Sequence, residues 1–231
     1  ISDDKKNVIY SISKVNIEEN AKSSTMYVIP VSGGSPREIL DPSDFIVRDS
    51  KVSPNGKYTL VTENIKLQKI SGKDHYPELE KSNVQIYDAL NYRHWDTWEY
   101  GAYSHILIEN TEEGTRIDIM ANEPYHCPQK PFGGAEDFIW NPDGSRVLYV
   151  TKKKTGTEYA LSTNTDIYEY DLETQLTRNI TAENEGYDTQ PSFSSKGILA
   201  WLQMKREGYE SDKNDIIIQR NGKKLNLTES W

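Results

Sequence analysis

The chain has few residues suited to bond-making chemistry. Its single cysteine, Cys127, lies in Tyr125-His126-Cys127-Pro128. One thiol can close no intrachain disulfide and build no thiolate zinc cluster; it reads as a half-buried loop thiol. The four histidines are His75, His94, His105 and His126. None has a plausible nucleophile beside it in sequence, and no close spacing of histidine with carboxylates suggests a metal cradle. No catalytic residue, cofactor or metal is therefore expected. The nucleophile elbow G-x-S-x-G, the phosphate-binding Walker loop, H-E-x-x-H and the dinucleotide fingerprint do not occur. Gly33-Gly34-Ser35 runs into a proline, which is turn chemistry. With 36 acidic residues, pairs of carboxylates are commonplace and lend a glycosidase reading no support.

Two stretches carry recognition chemistry instead. In Tyr92-Arg93-His94-Trp95-Asp96-Thr97-Trp98-Glu99, planar aromatic faces and a forked guanidinium could stack on and hydrogen-bond a ligand. Arg93, His94, Trp95, Asp96 and Trp98 are the candidate contacts. The same residues could serve structure, with Trp95 and Trp98 packed between sheets and Arg93 paired with Asp96. The second stretch, Lys205 to Lys213, holds Glu207, Tyr209 and Glu210. Its acids could hold the free amino end of a peptide by charge-assisted hydrogen bonds. Its plainer reading is a solvated hairpin with surface ion pairs.

Something must position these stretches. Helical periodicity is nearly absent. Short alternating runs of β-branched and aromatic residues recur instead: Asn7 to Val15, Thr25 to Val31, Lys57 to Glu63, Ser104 to Glu109, Arg116 to Met120, Arg146 to Thr151, Asp166 to Asp171, Gly197 to Met204 and Asp215 to Gln219. Strands this short and numerous predict an all-β fold. The runs are self-similar. Ser53-Pro54-Asn55-Gly56, Asn141-Pro142-Asp143-Gly144 and Ser194-Ser195-Lys196-Gly197 each divide a short apolar run from a stronger one. Proline presets φ and glycine accepts the positive φ of a tight turn. Arg178-Asn179-Ile180-Thr181 and Leu225-Asn226-Leu227-Thr228 repeat as outer strands. Both contain Asn-x-Thr, and their place in the repeat explains them without a sugar.

The 88 residues from Gly56 to Gly144 read as two units of 44. A period of 40–50 residues with four strands per unit is that of a β-propeller. Five units follow: 1–40, 41–90, 91–132, 133–182 and 183–231. The first lacks an inner strand, so the chain is expected to be an incomplete part of a longer propeller. Its open edges would then be covered by a second copy, as a homo-oligomer, or would aggregate. Gln68 to Lys81 reads as a loop inserted on one face, where repeat proteins bind partners. Lys152-Lys153-Lys154 reads as a solvated hairpin turn.

Composition narrows the partners. The formal charge of −9 disfavours nucleic acid. No run approaches the ~18 apolar residues of a membrane span. Only 35% of residues are hydrophobic, but 5 Trp, 15 Tyr and 4 Phe argue against disorder; a core spread through thin layers fits both facts.

Ile86 to Trp98, Tyr103-Ser104-His105-Ile106, Gly186 to Ser194 and Ala200 to Lys213 carry a resemblance. Over about residues 41–231 the chain resembles the N-terminal β-propeller of prolyl-oligopeptidase-family serine peptidases, nearest the dipeptidyl-peptidase V and acylaminoacyl-peptidase-like branch of Bacteroidetes. The resemblance implies a partner α/β-hydrolase domain bearing a Ser-Asp-His triad, which this sequence lacks. It also implies a propeller that covers the active site, admits short peptides and helps bind their amino termini. A periplasmic or other extracytoplasmic location goes with it, a cytoplasmic one being the alternative. The expected function is thus non-catalytic gating and substrate recognition in a serine exopeptidase. A stand-alone propeller that binds a protein or peptide is the alternative, and a lyase or glycosidase working in a central channel is a third.

Overall fold

A computed structural model describes residues 2, 5–40 and 51–231. Two compact units result, residues 1–50 and 51–231. Ile1, Asp3, Asp4 and residues 41–50 lie outside the described residues, and with them parts of the expected units 1–40 and 41–90.

The first unit is an antiparallel sheet of β1 (Asn7–Asn16), β2 (Ala21–Pro30) and β3 (Arg37–Ile39). Tyr10 lies opposite Tyr27, and their rings stack at 5.7 Å. Such cross-strand aromatic pairs stabilise a sheet. Val28 and Ile39 are buried.

The second unit contains three sheets. One runs β4 (Tyr58–Lys66), β7 (Ala102–Asn110) and β8 (Arg116–Asp118), and a Val52–Thr59 bridge adds the start of a fourth strand. The next has four strands in chain order: β9 (Phe138–Trp140), β10 (Arg146–Thr151), β11 (Asp166–Asp171) and β12 (Thr177–Asn179). The last repeats this with β13 (Asp188–Phe193), β14 (Leu199–Gln203), β15 (Asp215–Arg220) and β16 (Lys223–Asn226). Between β4 and β7 lie helix α1 (Gly72–His75) and a two-residue hairpin of β5 (Arg93–His94) and β6 (Thr97–Trp98). Helix α2 (Gly156–Leu161) joins β10 to β11.

The core lies in layers between sheets. Strand β10 shows why. Val147 and Tyr149 pack with Leu60, Ile106 and Ile108, while Leu148 and Val150 pack with Leu199, Trp201 and Ile217. With side chains alternating across the strand, both faces of β10 are buried, and Val147 to Thr151 are inaccessible.

All three repeat turns form, each with a backbone bond from the glycine to the first residue: Gly56 to Ser53 (2.8 Å), Gly144 to Asn141 (3.0 Å) and Gly197 to Ser194 (2.9 Å). Each glycine has φ near +75°. The first residue supplies a side-chain acceptor as well: Ser53 Oγ for the Tyr58 N–H, Asn141 Oδ1 for Arg146 and Ser194 Oγ for Ile198. Asparagine therefore replaces serine without loss, and the third turn does not need its missing proline.

The Asn-x-Thr triplets close their sheets. Asn179 Oδ1 accepts the Thr181 N–H at 2.9 Å, and Thr181 Oγ1 accepts the Ile167 N–H at 2.9 Å while donating to Asp166. Asn226, Thr228, Ile216 and Asp215 repeat this clasp with matching partners.

Several expectations change. The units 41–90 and 91–132 share one sheet, since β4 pairs with β7 along its whole length, Tyr58 opposite Asn110 to Lys66 opposite Ala102. Among the described residues the chain therefore forms four such sheets and one small hairpin, not five four-stranded units. The spacing of 88 contains one unit enlarged by a 67–101 insertion, longer than the Gln68 to Lys81 loop first read. Lys152 to Lys154 do not form a solvated hairpin. Lys152 Nζ donates to the carbonyls of Tyr159 and Ser162, and Lys153 pairs with Glu123. Cys127 is wholly buried, and burial pushes its thiol pKa well up, which leaves it a packing residue.

Candidate functional site

The insertion is tied at its neck. The Gly101 carbonyl accepts the N–H groups of Leu67 (2.9 Å) and Gln68 (3.0 Å). Beyond the neck, Asp74 Oδ2 accepts from the N–H groups of Ile70 and Ser71 and pairs with Lys66 Nζ at 2.8 Å. Those three partners hold its pKa down at about 2. Ile86 returns to donate to the Ile70 carbonyl at 2.8 Å. Tyr87, Tyr92 and Trp98 then stack on one another at 5.7–6.2 Å. The Tyr87 hydroxyl is shared between Gln85 Oε1 (2.7 Å) and the Glu99 carbonyl (2.8 Å). The Glu99 N–H donates to the Tyr92 carbonyl. The aromatic stack thus fixes the backbone of Glu99.

Glu99 borders a cavity of about 490 Å³, walled by the insertion, by Tyr103 of β7, by Pro124 and His126 of the segment after β8, and by Lys154 to Gly156 with Tyr159 before and in α2. The segments are brought together by topology. In a meander, connections alternate between the two ends of a sheet, and those between second and third strands leave from the same end. The insertion and the β10–β11 connection are both of this kind.

His126 forms the floor and is 4% exposed. Its Nδ1 accepts the Ser104 N–H at 3.1 Å, and its own carbonyl accepts from Thr151 Oγ1 at 2.9 Å. Its Nε2 lies 3.4 Å from Glu99 Oε2 without the alignment of a hydrogen bond, and has no other partner. The Tyr103 ring tilts against the imidazole at 5.0 Å.

The charges follow from these contacts. His126 chiefly, with Lys130 and His94, holds the Glu99 carboxyl below its ordinary range, outweighing its half-burial. Burial pushes His126 below the ordinary imidazole value, with Glu99 opposing. Burial raises Tyr103 and takes Tyr159 up to about 12. At neutral pH Glu99 is therefore a carboxylate beside a neutral imidazole and neutral phenols, and Asp88, Lys69 and Lys154 also border the cavity. Ser104 is no nucleophile despite its neighbour: its N–H, not its hydroxyl, faces His126, and Oγ donates to the Cys127 carbonyl at 3.1 Å. No group of three or more metal-ligating side chains occurs among the described residues.

None of the residues singled out by sequence lines this cavity. Arg93, His94, Trp95, Asp96 and Trp98 occupy the β5–β6 hairpin. Neither tryptophan packs between sheets: Trp95 is 66% exposed and Trp98 is 39% exposed. Arg93 lies over Trp98 at 5.6 Å, and no Arg93–Asp96 ion pair occurs among the described residues. Trp95 adopts φ +50° at the hairpin tip, a costly conformation for a bulky residue, and meets the edges of His94 and Phe132. Glu207, Tyr209 and Glu210 sit on the β14–β15 connection. There Arg206 pairs with Asp212 and stacks on Tyr209 at 3.7 Å, and the Gly208 N–H docks on Thr163 Oγ1 at 2.9 Å. Glu210 and Glu207 favour the charged form of Lys152 against its burial. Glu99, Tyr103, His126 and Tyr159 were not among the expected contacts. Glu99 ends the aromatic stretch, which was the one signal pointing to it.

No protein-family model matches the chain. It is 46% identical over 170 residues to dipeptidyl-peptidase 5 of Porphyromonas gingivalis, covering 72% of this chain and 25% of that protein. It is 40% identical over 164 residues to dipeptidyl-peptidase 5 of Porphyromonas endodontalis, covering 69% and 23%. The Schizosaccharomyces pombe dipeptidyl-peptidase 5 is 27% identical over 229 residues, covering 93% and 32%. Similar solved structures include the β-propeller domain of the Trilobed protease from Pyrococcus furiosus (TM-score 0.39, 15% identity, 97% of this chain and 54% of that one). Another is a puromycin-hydrolyzing peptidase of Mycobacterium tuberculosis (TM-score 0.46, 14% identity, 98% and 37%). The chain spans about a quarter to a third of the length of these curated relatives, and over the residues matched it resembles one part of dipeptidyl-peptidase 5 proteins.

Proposed function

We propose that the chain is a propeller segment of a dipeptidyl-peptidase-type serine peptidase, in which it gates and recognises short peptides while a separate α/β-hydrolase domain cleaves them. The observation that carries the recognition role is Glu99, a half-buried carboxylate kept ionised at the edge of a cavity whose walls include Tyr87, Tyr103 and Tyr159. A carboxylate in low dielectric surroundings is a strong counter-charge for an ammonium group. The phenol rings of Tyr87, Tyr103 and Tyr159 offer apolar faces to the adjoining side chain. On this reading the Arg93 to Trp98 hairpin is the buttress of the site, and Glu207, Tyr209 and Glu210 form its acidic border. An extracytoplasmic location for the whole peptidase rests on the sequence resemblance.

The test is substitution in the full-length peptidase. Glu99→Gln should lower kcat/KM for dipeptidyl substrates by ~30-fold or more, the usual consequence of removing one partner of a desolvated charge pair. The effect should fall mainly on KM. Unchanged kcat/KM would end the assignment.

A further inference from the structure

Helix α2 is a wall of the cavity with little of its own to hold it. Its six residues fall well short of the ~12–15 that an isolated helix needs. Thr155 at its start gives no side-chain cap, and none of its residues is buried. Thr157, Glu158, Ala160 and Leu161 face solvent, and only Gly156 and Tyr159 line the cavity. What fastens the far end is Lys152, which follows β10. Its Nζ donates to the carbonyls of Tyr159 (2.7 Å) and Ser162, acceptors of the kind a helix leaves open at its C-terminus, where a cation is also favoured. The same Nζ lies 4.4 Å from the centre of the Tyr159 ring. One ammonium thus fixes both the backbone and the ring of the residue that faces the cavity.

Burial disfavours the charged form of Lys152; Glu210 and Glu207 of the β14–β15 connection favour it, and Lys154 opposes them. That connection meets the segment after α2 a second time, where the Gly208 N–H donates to Thr163 Oγ1 at 2.9 Å. We propose that α2 is a movable wall of the cavity, latched by Lys152, and that Glu207 and Glu210 tighten the latch from the next sheet. Lys152 is a positioning residue: it does not line the cavity and acts on it through Tyr159. With the latch open, the helix swings about Thr155 and Gly156, whose φ is +57°, and carries Tyr159 away from the cavity. The β14–β15 connection then sets the width of a cavity to which it contributes no lining residue. This coupling goes beyond the recognition reading and does not depend on what the cavity binds.

Hydrogen exchange of the whole chain at pH 7, read by mass spectrometry, tests the latch. In the unmodified chain, peptides covering 155–163 should exchange about tenfold or more faster than those of β10 and β11. Lys152→Met keeps the stem and removes the ammonium. It should speed exchange in 155–163 by about a further tenfold and leave β10 and β11 as they were. Glu207→Gln combined with Glu210→Gln should speed it by about twofold to threefold. On a Lys152→Met background the same pair should add nothing, a non-additivity that a merely structural role does not produce. No change in 155–163 on Lys152→Met would overturn the latch. Loss of protection throughout β10 and β11 would make Lys152 part of the core and overturn the movable wall. An equal effect of the acid substitutions in both backgrounds would overturn the coupling through Lys152.

Discussion

Ser104 gives its backbone N–H to Nδ1 of His126, so a main-chain bond within the fold chooses the tautomer of a cavity side chain. Ser104 is tied to the same segment once more next door, where the Cys127 N–H donates to the Ser104 carbonyl. In nitrogen-15 spectra His126 should therefore be protonated on Nε2 at pH 7. It should also titrate below the ordinary 6.5, since burial disfavours its charged form. An Nδ1–H tautomer, or a midpoint above 6.5, would contradict this geometry.

Gly101 should be hard to replace. Its φ is +73°, and an added Cβ would stand 2.4 Å from the Gln68 carbonyl oxygen, the residue whose N–H Gly101 receives. Gly101→Ala should cost more than ~1 kcal/mol and loosen the neck. Limited proteolysis should then cut faster within 68–100 than in the sheets. A digestion pattern like that of the parent chain would refute the neck as a fastening.

The clasps predict a different loss. Thr181→Val removes the acceptor for the Ile167 N–H in a fully buried place. It should destabilise by ~1–3 kcal/mol in urea unfolding. Thr228→Val should behave alike, because Thr228 holds the Ile216 N–H in the same way. If the two differed widely, the equivalence of the sheets would be wrong.

Asp137 supplies a pH signature. Burial raises its carboxyl to about 6 from an ordinary 3.8, against the N–H bond it accepts from Gln129. The folded state therefore holds this proton more tightly than the unfolded chain. Its contribution to stability is fully present below about pH 4 and is lost as pH rises through about 6. Asp137→Asn escapes that loss. Relative to the unmodified chain it should gain on the order of 2–3 kcal/mol between pH 4 and pH 7. A difference that does not change with pH would show that Asp137 titrates normally.

Turns and strands were legible because their chemistry is local. Ser53 to Gly56 and Asn141 to Gly144 state a turn within four residues, and the runs they separate alternate visibly. Spacing was less informative: between Gly56 and Gly144, a second unit and an insertion look the same until Tyr58 is seen opposite Asn110. The cavity was illegible for another reason. Glu99, His126 and Tyr159 come from three different connections, and no pattern along the chain relates them. The tryptophan-rich stretch stood out because its composition is unusual, but the stack of Tyr87, Tyr92 and Trp98 acts through Glu99, which follows it.

The tied neck has one more consequence. A strand pair whose departing and returning ends are bonded to each other has no record of what lies between them. The register from Tyr58 to Lys66 would be the same for a short loop or a long one. This end of the sheet is therefore a socket, in which whole recognition cassettes can be exchanged during evolution or by engineering while the packed layers keep their registration.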